Sequence, residues 1–321
     1  MNAVTVEHLD KVYGRGQRAV RAVDGVSFSV DSGELVGLLG ANGAGKTTII
    51  KIICGLLLPT GGSAAVYGVP TDQKSVARYV AAVLEGSRNI YWRLSVEENL
   101  RFFAGLVGQS PRAAPAHIQE LVSLLGLMDK RRVVANNLSQ GMKQKLAIAC
   151  ALVRNTSVLL LDEPTLGLDV ETSYEVRGLI RELAEREGRT VLLSSHDMGV
   201  VESVCRRVII VARGRVVTDD QVGRLLNLFR TRALRVALSG VLDKQALSRL
   251  QEEFPGVRVC EDSGAPSLDV ELEVGQTLYQ LIDVLRTCGV GVEEVARVEP
   301  KLEEVFLRVV RGENGAGKIV R

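Results

Sequence analysis

The sequence predicts an α/β fold in which a largely parallel sheet carries the functional loops, followed by a smaller α+β domain. An apolar strand at residues 34–39 runs into a glycine-rich loop and then into an apolar helix. A second strand, at 158–161, is continuously apolar, as expected for a central parallel strand buried on both faces. After residue 220 the pattern changes to short strands and helices with alternating polarity. These three observations place a large α/β domain before a small one.

The loop at residues 40–47 reads GANGAGKT, and the string TTIIKIICGLLL, which starts at Thr47, predicts a buried helix. In this setting backbone N–H groups converge on phosphate oxygens, and the helix N-terminus adds a partial positive charge. Lys46 is expected to reach the β- and γ-phosphates of ATP, and the Thr47 hydroxyl to ligate Mg²⁺. The pattern is that of a P-loop NTPase. The residues expected to contact the nucleotide here are Gly40, Ala41, Asn42, Gly43, Ala44, Gly45, Lys46, Thr47 and Thr48.

A near-copy of this loop, GENGAGK, stands at residues 312–318. It has no strand before it, and Ile319 occupies the place of the metal-binding hydroxyl. Because the motif works only between a strand and a helix, we expect residues 311–321 to be a solvated tail.

The strand at 158–161 delivers two adjacent carboxylates at its carboxyl end, where open α/β sheets bind ligands. Asp162 is expected to hold Mg²⁺, and Glu163 to polarise the attacking water as general base. His196 follows another apolar strand, at 190–194, and is expected to donate to the γ-phosphate. The pattern therefore predicts ATP hydrolysis, with Glu163 and His196 as catalytic residues.

The string LSQGM at residues 138–142 resembles the signature sequence of ATP-binding cassette (ABC) transporter ATPases. The resemblance covers essentially residues 2–220. It implies a chain that dimerises with a second copy of itself around two ATP molecules. Ser139, Gln140 and Gly141 would then contact the nucleotide held by the partner. Ser139 is also predicted to cap the helix that follows it.

Two further contacts follow from the resemblance. Tyr13 resembles the aromatic residue that stacks on adenine, although a tyrosine in an N-terminal strand is also a common packing residue. The string LGLD at 166–169 resembles the loop that signals between the two sites, with Asp169 as its carboxylate.

Glu85 departs from the family pattern, because most relatives carry a glutamine there that contacts Mg²⁺ and the nucleophilic water. If Glu85 points inward, it adds a third carboxylate near Asp162 and Glu163 and strengthens the metal site. If the loop is spaced differently, Glu85 lies in solvent. The hypothesis carried forward is that Glu85 binds the metal.

Composition and charge are those of an intracellular protein. The chain has 321 residues and a formal net charge of +2, so its overall charge does not favour binding to nucleic acid. Its five cysteines form no C-x-x-C pair, which indicates reduced thiols. We see no signal peptide and no run of about eighteen apolar residues. We therefore expect a protein that reaches the cytoplasmic face of the cell membrane through separate multi-span permease subunits.

A helical insert is predicted at about 86–155, with helices at 96–106, 116–127 and 142–153. At its entrance the string NIYWRLSVEEN contains Tyr91 and Trp92, where the family's coupling groove receives the membrane subunit. We expect these aromatic residues to contact the permease, although such clusters also form core.

Residues 221–310 predict a βαββαβ unit with a final helix, a ferredoxin-like arrangement. The ending EPKLEEVFLRVV resembles the C-terminal extension of ATPases that serve drug, lipid or antibiotic exporters, which favours export. This unit could instead stabilise the dimer.

The alternative function is that of a soluble, non-transport ABC ATPase acting on the ribosome or on DNA. Such proteins generally carry two cassettes or long coiled coils, whereas this sequence shows one cassette and no heptad run.

Overall fold

The computed structural model describes residues 1–86, 89–108, 114–228, 233–239, 242–260, 267–272, 276–297 and 301–311. The chain divides into two compact units, Met1–Val222 and Gly223–Arg321. The boundary lies close to residue 220, where the sequence pattern changes. The GENGAGK string near the C-terminus lies outside the described residues.

The first unit alternates strands and helices along the chain. Its strands are β1 (Asn2–Tyr13), β2 (Val20–Asp31), β3 (Leu35–Leu39), β4 (Gly61–Val66), β5 (Val69–Pro70), β6 (Val80–Val83), β7 (Val158–Asp162), β8 (Thr190–Ser195), β9 (Arg207–Ala212) and β10 (Arg215–Gln221). Its helices are α1 (Lys46–Ile53), α2 (Val96–Leu106), α3 (Ala114–Leu124), α4 (Gln140–Leu152), α5 (Val170–Glu185) and α6 (Met198–Val204), and α7 (Val222–Leu228) begins at the boundary.

Two sheets form the first unit within the described residues. The larger has the strand order β10-β9-β3-β8-β7-β6, and all its pairs except β9 with β10 are parallel. The smaller has the order β2-β1-β4-β5 and is antiparallel. Strands β7 and β8 are buried throughout, which explains the continuous apolar sequence of residues 158–161 and 191–193. The parallel register brings the carboxyl ends of β3, β7 and β8 to one edge of the sheet.

Helix α1 is shorter than the apolar run that predicted it. It ends at Ile53, and Gly55 follows with a φ of 72°. The Leu56 N–H donates to the Lys51 carbonyl at 2.9 Å, which closes the helix end in a Schellman-like turn. A glycine adopts this left-handed conformation at little steric cost, so the helix stops although the sequence stays apolar.

The helical insert lies between β6 and β7, as predicted. Helix α2 begins with a capping box in which the Ser95 hydroxyl accepts from the Glu98 N–H and the Glu98 carboxylate accepts from the Ser95 N–H. Helix α4 begins at Gln140, earlier than its apolar pattern suggested, because the Ser139 hydroxyl caps it. The three predicted helices therefore exist, with α3 at Ala114–Leu124 instead of 116–127, and the caps of α2 and α4 fix where those two begin.

Arg207 joins three strands at the edge of the larger sheet. Its guanidinium donates to Asp219 at 2.7 and 2.8 Å, to Glu34 at 3.0 Å and to the Ser29 carbonyl at 3.0 Å. These partners raise the pKa of Arg207 above its already high ordinary value. The side chain is 23% exposed, so these ion pairs are only partly screened by solvent.

The C-terminal unit is a βαββαβ fold. It consists of β11 (Ala233–Ser239), α8 (Lys244–Glu253), β12 (Arg258–Cys260), β13 (Ser267–Glu271), α9 (Leu278–Thr287) and β14 (Gly291–Arg297), followed by α10 (Leu302–Arg311). The described strands form an antiparallel sheet of order β12-β13-β11-β14, which is the ferredoxin-like order. Its core includes Val236, Leu268, Phe254 and Leu281.

All five cysteines are free thiols. Burial raises the pKa of the Cys205 thiol to about 12 and that of Cys54 to about 11. No helix in the described part of the chain is long and apolar enough to cross a membrane.

Candidate functional site

The glycine-rich loop lies between the carboxyl end of β3 and the start of α1, where it forms one wall of an open cavity of about 420 Å³. Gly40 and Ala41 precede the cavity wall, while residues 42–48 line it. The carboxyl ends of β6, β7 and β8 supply the opposite side. The predicted residues that line the cavity together are Asn42, Gly43, Ala44, Gly45, Lys46, Thr47, Thr48, Glu85, Glu163 and His196.

Lys46 is buried at the centre of this arrangement, with 5% of its surface exposed. Its ammonium donates to the Gly40 carbonyl at 2.6 Å and lies 3.4 Å from Glu163 Oε1. An ammonium group has three N–H donors, so Lys46 can hold the loop and still contact an anion. The loop cation and the carboxylate at the end of β7 thus form a direct ion pair.

Glu163 is held from three sides. Its carboxylate accepts from the Ser195 hydroxyl at 3.3 Å and lies 2.9 Å from His196 Nδ1, although this second contact lacks hydrogen-bond geometry. The residue has a φ of 51°, a left-handed conformation that costs a non-glycine residue about 1–3 kcal/mol. Such strain at the end of a central strand is typical of functional positions.

Asp162 is almost fully buried, at 1% exposure. Ser194 donates to its Oδ1, while Oδ2 has no hydrogen-bond partner among the described residues. A buried carboxylate oxygen left in this way fits a hard cation such as Mg²⁺, which prefers oxygen ligands. Thr47 is half-buried at the start of α1, and its hydroxyl as a second Mg²⁺ ligand stays a prediction.

Glu85 follows β6 and is exposed. It is nevertheless one of the residues that line the cavity. The described residues contain no cluster of three or more acidic, histidine or cysteine side chains with metal-binding geometry. The structure therefore brings Glu85 to the cavity without gathering it with Asp162 and Glu163 around one point.

Tyr13 lies beside the start of α1. Its hydroxyl is 3.4 Å from Thr48 Oγ1, the Lys11 ammonium is 5.4 Å from its ring centre, and 41% of the residue is exposed. The exposed ring leaves a flat face for stacking, and the adenine contact stays a prediction.

The signature segment lies outside the chain's own cavity wall. Ser139 and Gln140 are exposed, and the Ser139 hydroxyl accepts from the Met142 N–H at 3.2 Å. Asp169 caps α5 by accepting from the Thr172 N–H at 2.8 Å, and this hydrogen bond holds the pKa of Asp169 below its usual value. These residues are thus placed on the surface, outside the lining of the chain's own cavity.

Tyr91 and Trp92 precede α2 and are 49% and 39% exposed. The Tyr91 ring packs edge-on against Phe102 at 4.5 Å between centres. The Lys143 ammonium lies 5.1 Å from the Trp92 ring centre, so Trp92 contacts the first turns of α4. Both aromatic rings are half exposed and also anchored in the insert.

The sequence reasoning missed Ser194 and Ser195, whose hydroxyls hold Asp162 and Glu163. A usable signal existed, because two polar residues end the otherwise apolar β8. Their significance depends on β8 lying beside β7, which the sequence does not state.

Comparison with known proteins agrees with this geometry. The family model described as ABC transporter matches residues 23–166. The ABC transporter ATP-binding protein NatA of Bacillus subtilis is 36% identical over 216 residues, covering 67% of this chain and 87% of NatA. The chain belongs to the ABC transporter ATP-binding family. The P-loop NTPase fold and the ATPase activity predicted from the sequence are thereby confirmed.

Other relatives of the ABC family extend the match. The methionine import ATP-binding protein MetN of Geobacillus kaustophilus is 32% identical over 264 residues, 78% of this chain and 76% of MetN. A solved dimeric ATP-binding cassette bound to ADP and Pi, in a post-hydrolysis state, superposes with a TM-score of 0.63 at 26% identity, covering 68% of this chain and 98% of that one. This ABC protein is therefore an ATP-hydrolysing, ATP-binding transporter subunit.

Proposed function

We propose that two copies of this chain close around two ATP molecules and that the resulting dimer drives transport through separate membrane-spanning subunits. The observation that carries the proposal is the convergence of Lys46, Glu163 and His196 in one cavity, while Ser139 and Asp169 lie outside it. Because the signature segment lies outside the cavity that the phosphate loop lines, one chain cannot bring both to the same nucleotide. A second subunit would supply the missing signature segment.

The roles follow from the contacts. Lys46 binds the β- and γ-phosphates in exchange for its contact with Glu163, and the loop N–H groups of residues 40–48 bind the remaining phosphate oxygens. Asp162 and Thr47 hold Mg²⁺, which when bound neutralises phosphate charge. Glu163, released from Lys46, takes the proton of the attacking water, and His196 donates to the γ-phosphate.

The signature segment and Asp169 act on the partner subunit's nucleotide. Ser139 and Gly141 contact its γ-phosphate through the start of α4, and Asp169 lies beside them. Closure binds ATP more tightly than ADP, so hydrolysis shifts the dimer between two states and with it the attached membrane subunits.

The membrane subunits are contacted through Tyr91 and Trp92, which places the protein at the cytoplasmic face of the membrane. Support comes from their exposure and from the contact of Trp92 with α4, which gives a short physical route from the insert entrance to the signature segment. Trp92→Ala is expected to reduce co-purification with the membrane subunit while ATP binding is kept. Tyr279→Ala, an exposed aromatic on α9, is the matched control.

The expectation of export is not supported by the relatives. MetN of Bifidobacterium longum is 30% identical over 301 residues, 87% of this chain, so the similarity extends beyond the first unit. That relative is named for methionine import. The proposal is therefore confined to ATP-driven transport.

The test is affinity purification of the Glu163→Gln variant from detergent-solubilised membranes with ATP and Mg²⁺. A stoichiometric multi-span membrane protein in the eluate is the expected result. Ribosomal or DNA-bound partners, or no partner at all, would overturn the transport proposal in favour of a soluble ABC ATPase.

A further inference from the structure

Helices α4 and α5 begin side by side, in contact at Gly141 and Thr172. Gly141 is buried in the first turn of α4, and a Cβ atom built on it would lie 2.3 Å from Thr172 Cγ2. Real Cβ contacts are never so short, and the Thr172 methyl stands on a stiff β-branched side chain. The two helices therefore approach this closely only because residue 141 is glycine.

Thr172 also holds both oxygens of Asp169. Its backbone N–H donates to Oδ1 at 2.8 Å and its hydroxyl donates to Oδ2 at 3.0 Å. The methyl of Thr172 covers Gly141 while the hydroxyl of the same side chain fixes Asp169. One residue thus touches the signature segment and the carboxylate that caps α5.

A second contact one turn further along repeats the pairing. The Lys145 ammonium lies 2.6 Å from the Glu175 carboxylate. Lys145 lies one helical turn after Gly141 on α4, and Glu175 lies one turn after Thr172 on α5. The same two helix faces are therefore in contact over successive turns and in the same order. Two contacts in that order mean that α4 and α5 run side by side in the same direction here.

The two helix starts consequently face the same way. Ser139 satisfies the Met142 N–H, which leaves the N–H groups of Gln140 and Gly141 as donors at the exposed end of α4. Asp169 stands at the equivalent position of α5. Any molecule that reaches the end of α4 therefore also meets the end of α5.

We propose that Thr172 is a positioning residue that locks the start of α4 to the start of α5. Because Thr172 holds the two helix starts together, the signature segment and Asp169 contact the partner subunit's nucleotide as one rigid surface. The inference rests on the proposed ATP-bound dimer, and it adds that the alignment of the two motifs depends on a side chain that belongs to neither.

The test uses the full chain carrying Glu163→Gln, in which the ATP-bound dimer accumulates. Its dissociation constant is measured by sedimentation, and the affinity of the dilute monomer for a fluorescent ATP analogue is measured separately. Thr172→Val keeps the shape and removes the hydroxyl, so we expect the dimer to weaken about 3- to 10-fold while nucleotide affinity is unchanged. Thr172→Ser keeps the hydroxyl but loses the methyl that covers Gly141, so we also expect a weaker dimer with unchanged nucleotide affinity.

A second pair of variants tests the contact with Gly141. Gly141→Ala pushes its new methyl against Thr172 and is expected to weaken the dimer, whereas adding Thr172→Ser removes the clashing carbon and recovers part of the loss. An unchanged dimer in Thr172→Val, or a double variant as weak as Gly141→Ala alone, overturns the inference. If the Glu163→Gln parent itself stays monomeric, it is the proposed function that fails.

Discussion

Glu163→Gln is expected to slow ATP hydrolysis and to tighten ATP binding at the same time. Glu163 Oε1 lies 3.4 Å from the Lys46 ammonium, and both side chains are about nine-tenths buried or more. At an effective dielectric constant of about 20, two unit charges at this distance attract by about 5 kcal/mol before desolvation is counted. The phosphates of ATP must replace this contact when they bind Lys46.

The net value of such a charge-assisted contact is smaller, about 1.5–3 kcal/mol. Removing it without changing the size of the side chain should tighten ATP binding about 10- to 100-fold. Loss of the general base should lower kcat about 10²- to 10⁴-fold. Both effects come from replacing one carboxylate, which pairs with Lys46 before ATP binds and accepts the proton of water during hydrolysis.

The assay combines single-turnover hydrolysis with equilibrium binding of ATP in the absence of turnover. Glu187→Gln, which alters a partly exposed carboxylate paired with Arg189, is the matched control and should leave both quantities unchanged. A variant at 163 that hydrolyses ATP within about threefold of the parent would refute the general-base role. Unchanged ATP affinity would refute the competition for Lys46.

Three further outcomes are expected. Glu85→Gln should raise the Mg²⁺ concentration needed for half-maximal ATPase activity, and an unchanged requirement would place Glu85 in solvent. Arg207→Ala should lower the free energy of unfolding by about 1–3 kcal/mol in urea titrations, because two carboxylates and a backbone carbonyl lose their shared donor. The ion pair with Arg235 lowers the pKa of Asp269, so its stabilisation is full above pH about 4 and is lost as the pH falls through the lowered value. Asp269→Asn should therefore flatten the acid limb of a urea-midpoint profile, and an unaltered limb would show that the pair contributes nothing.

The positions of the phosphate loop and the catalytic carboxylates could be read from the sequence because their signals are local. Glycines, a lysine and a hydroxyl residue stand in fixed order between a strand and a helix, and the apolar run before Asp162 identifies a central strand. The strand order of the C-terminal unit followed in the same way from its βαββαβ succession.

The sequence pattern predicted the ends of helices less accurately. The apolar run after Thr47 suggested a helix through Leu58, but a single left-handed glycine ends α1 at Ile53. Hydrophobicity reports what is buried, whereas backbone conformation at one residue decides where a helix stops.

What the tertiary structure alone decided is which side chains meet across separate elements. The contacts of Glu163 with Lys46 and Ser195 join β7 to α1 and β8, and the fit of Thr172 over Gly141 joins α5 to α4. Each depends on a separation of a few ångströms between segments far apart in the chain, set by strand order and helix packing. The sequence by itself therefore determined the fold class, the family and the chemistry of each motif, and the packing decided how the motifs act on one another.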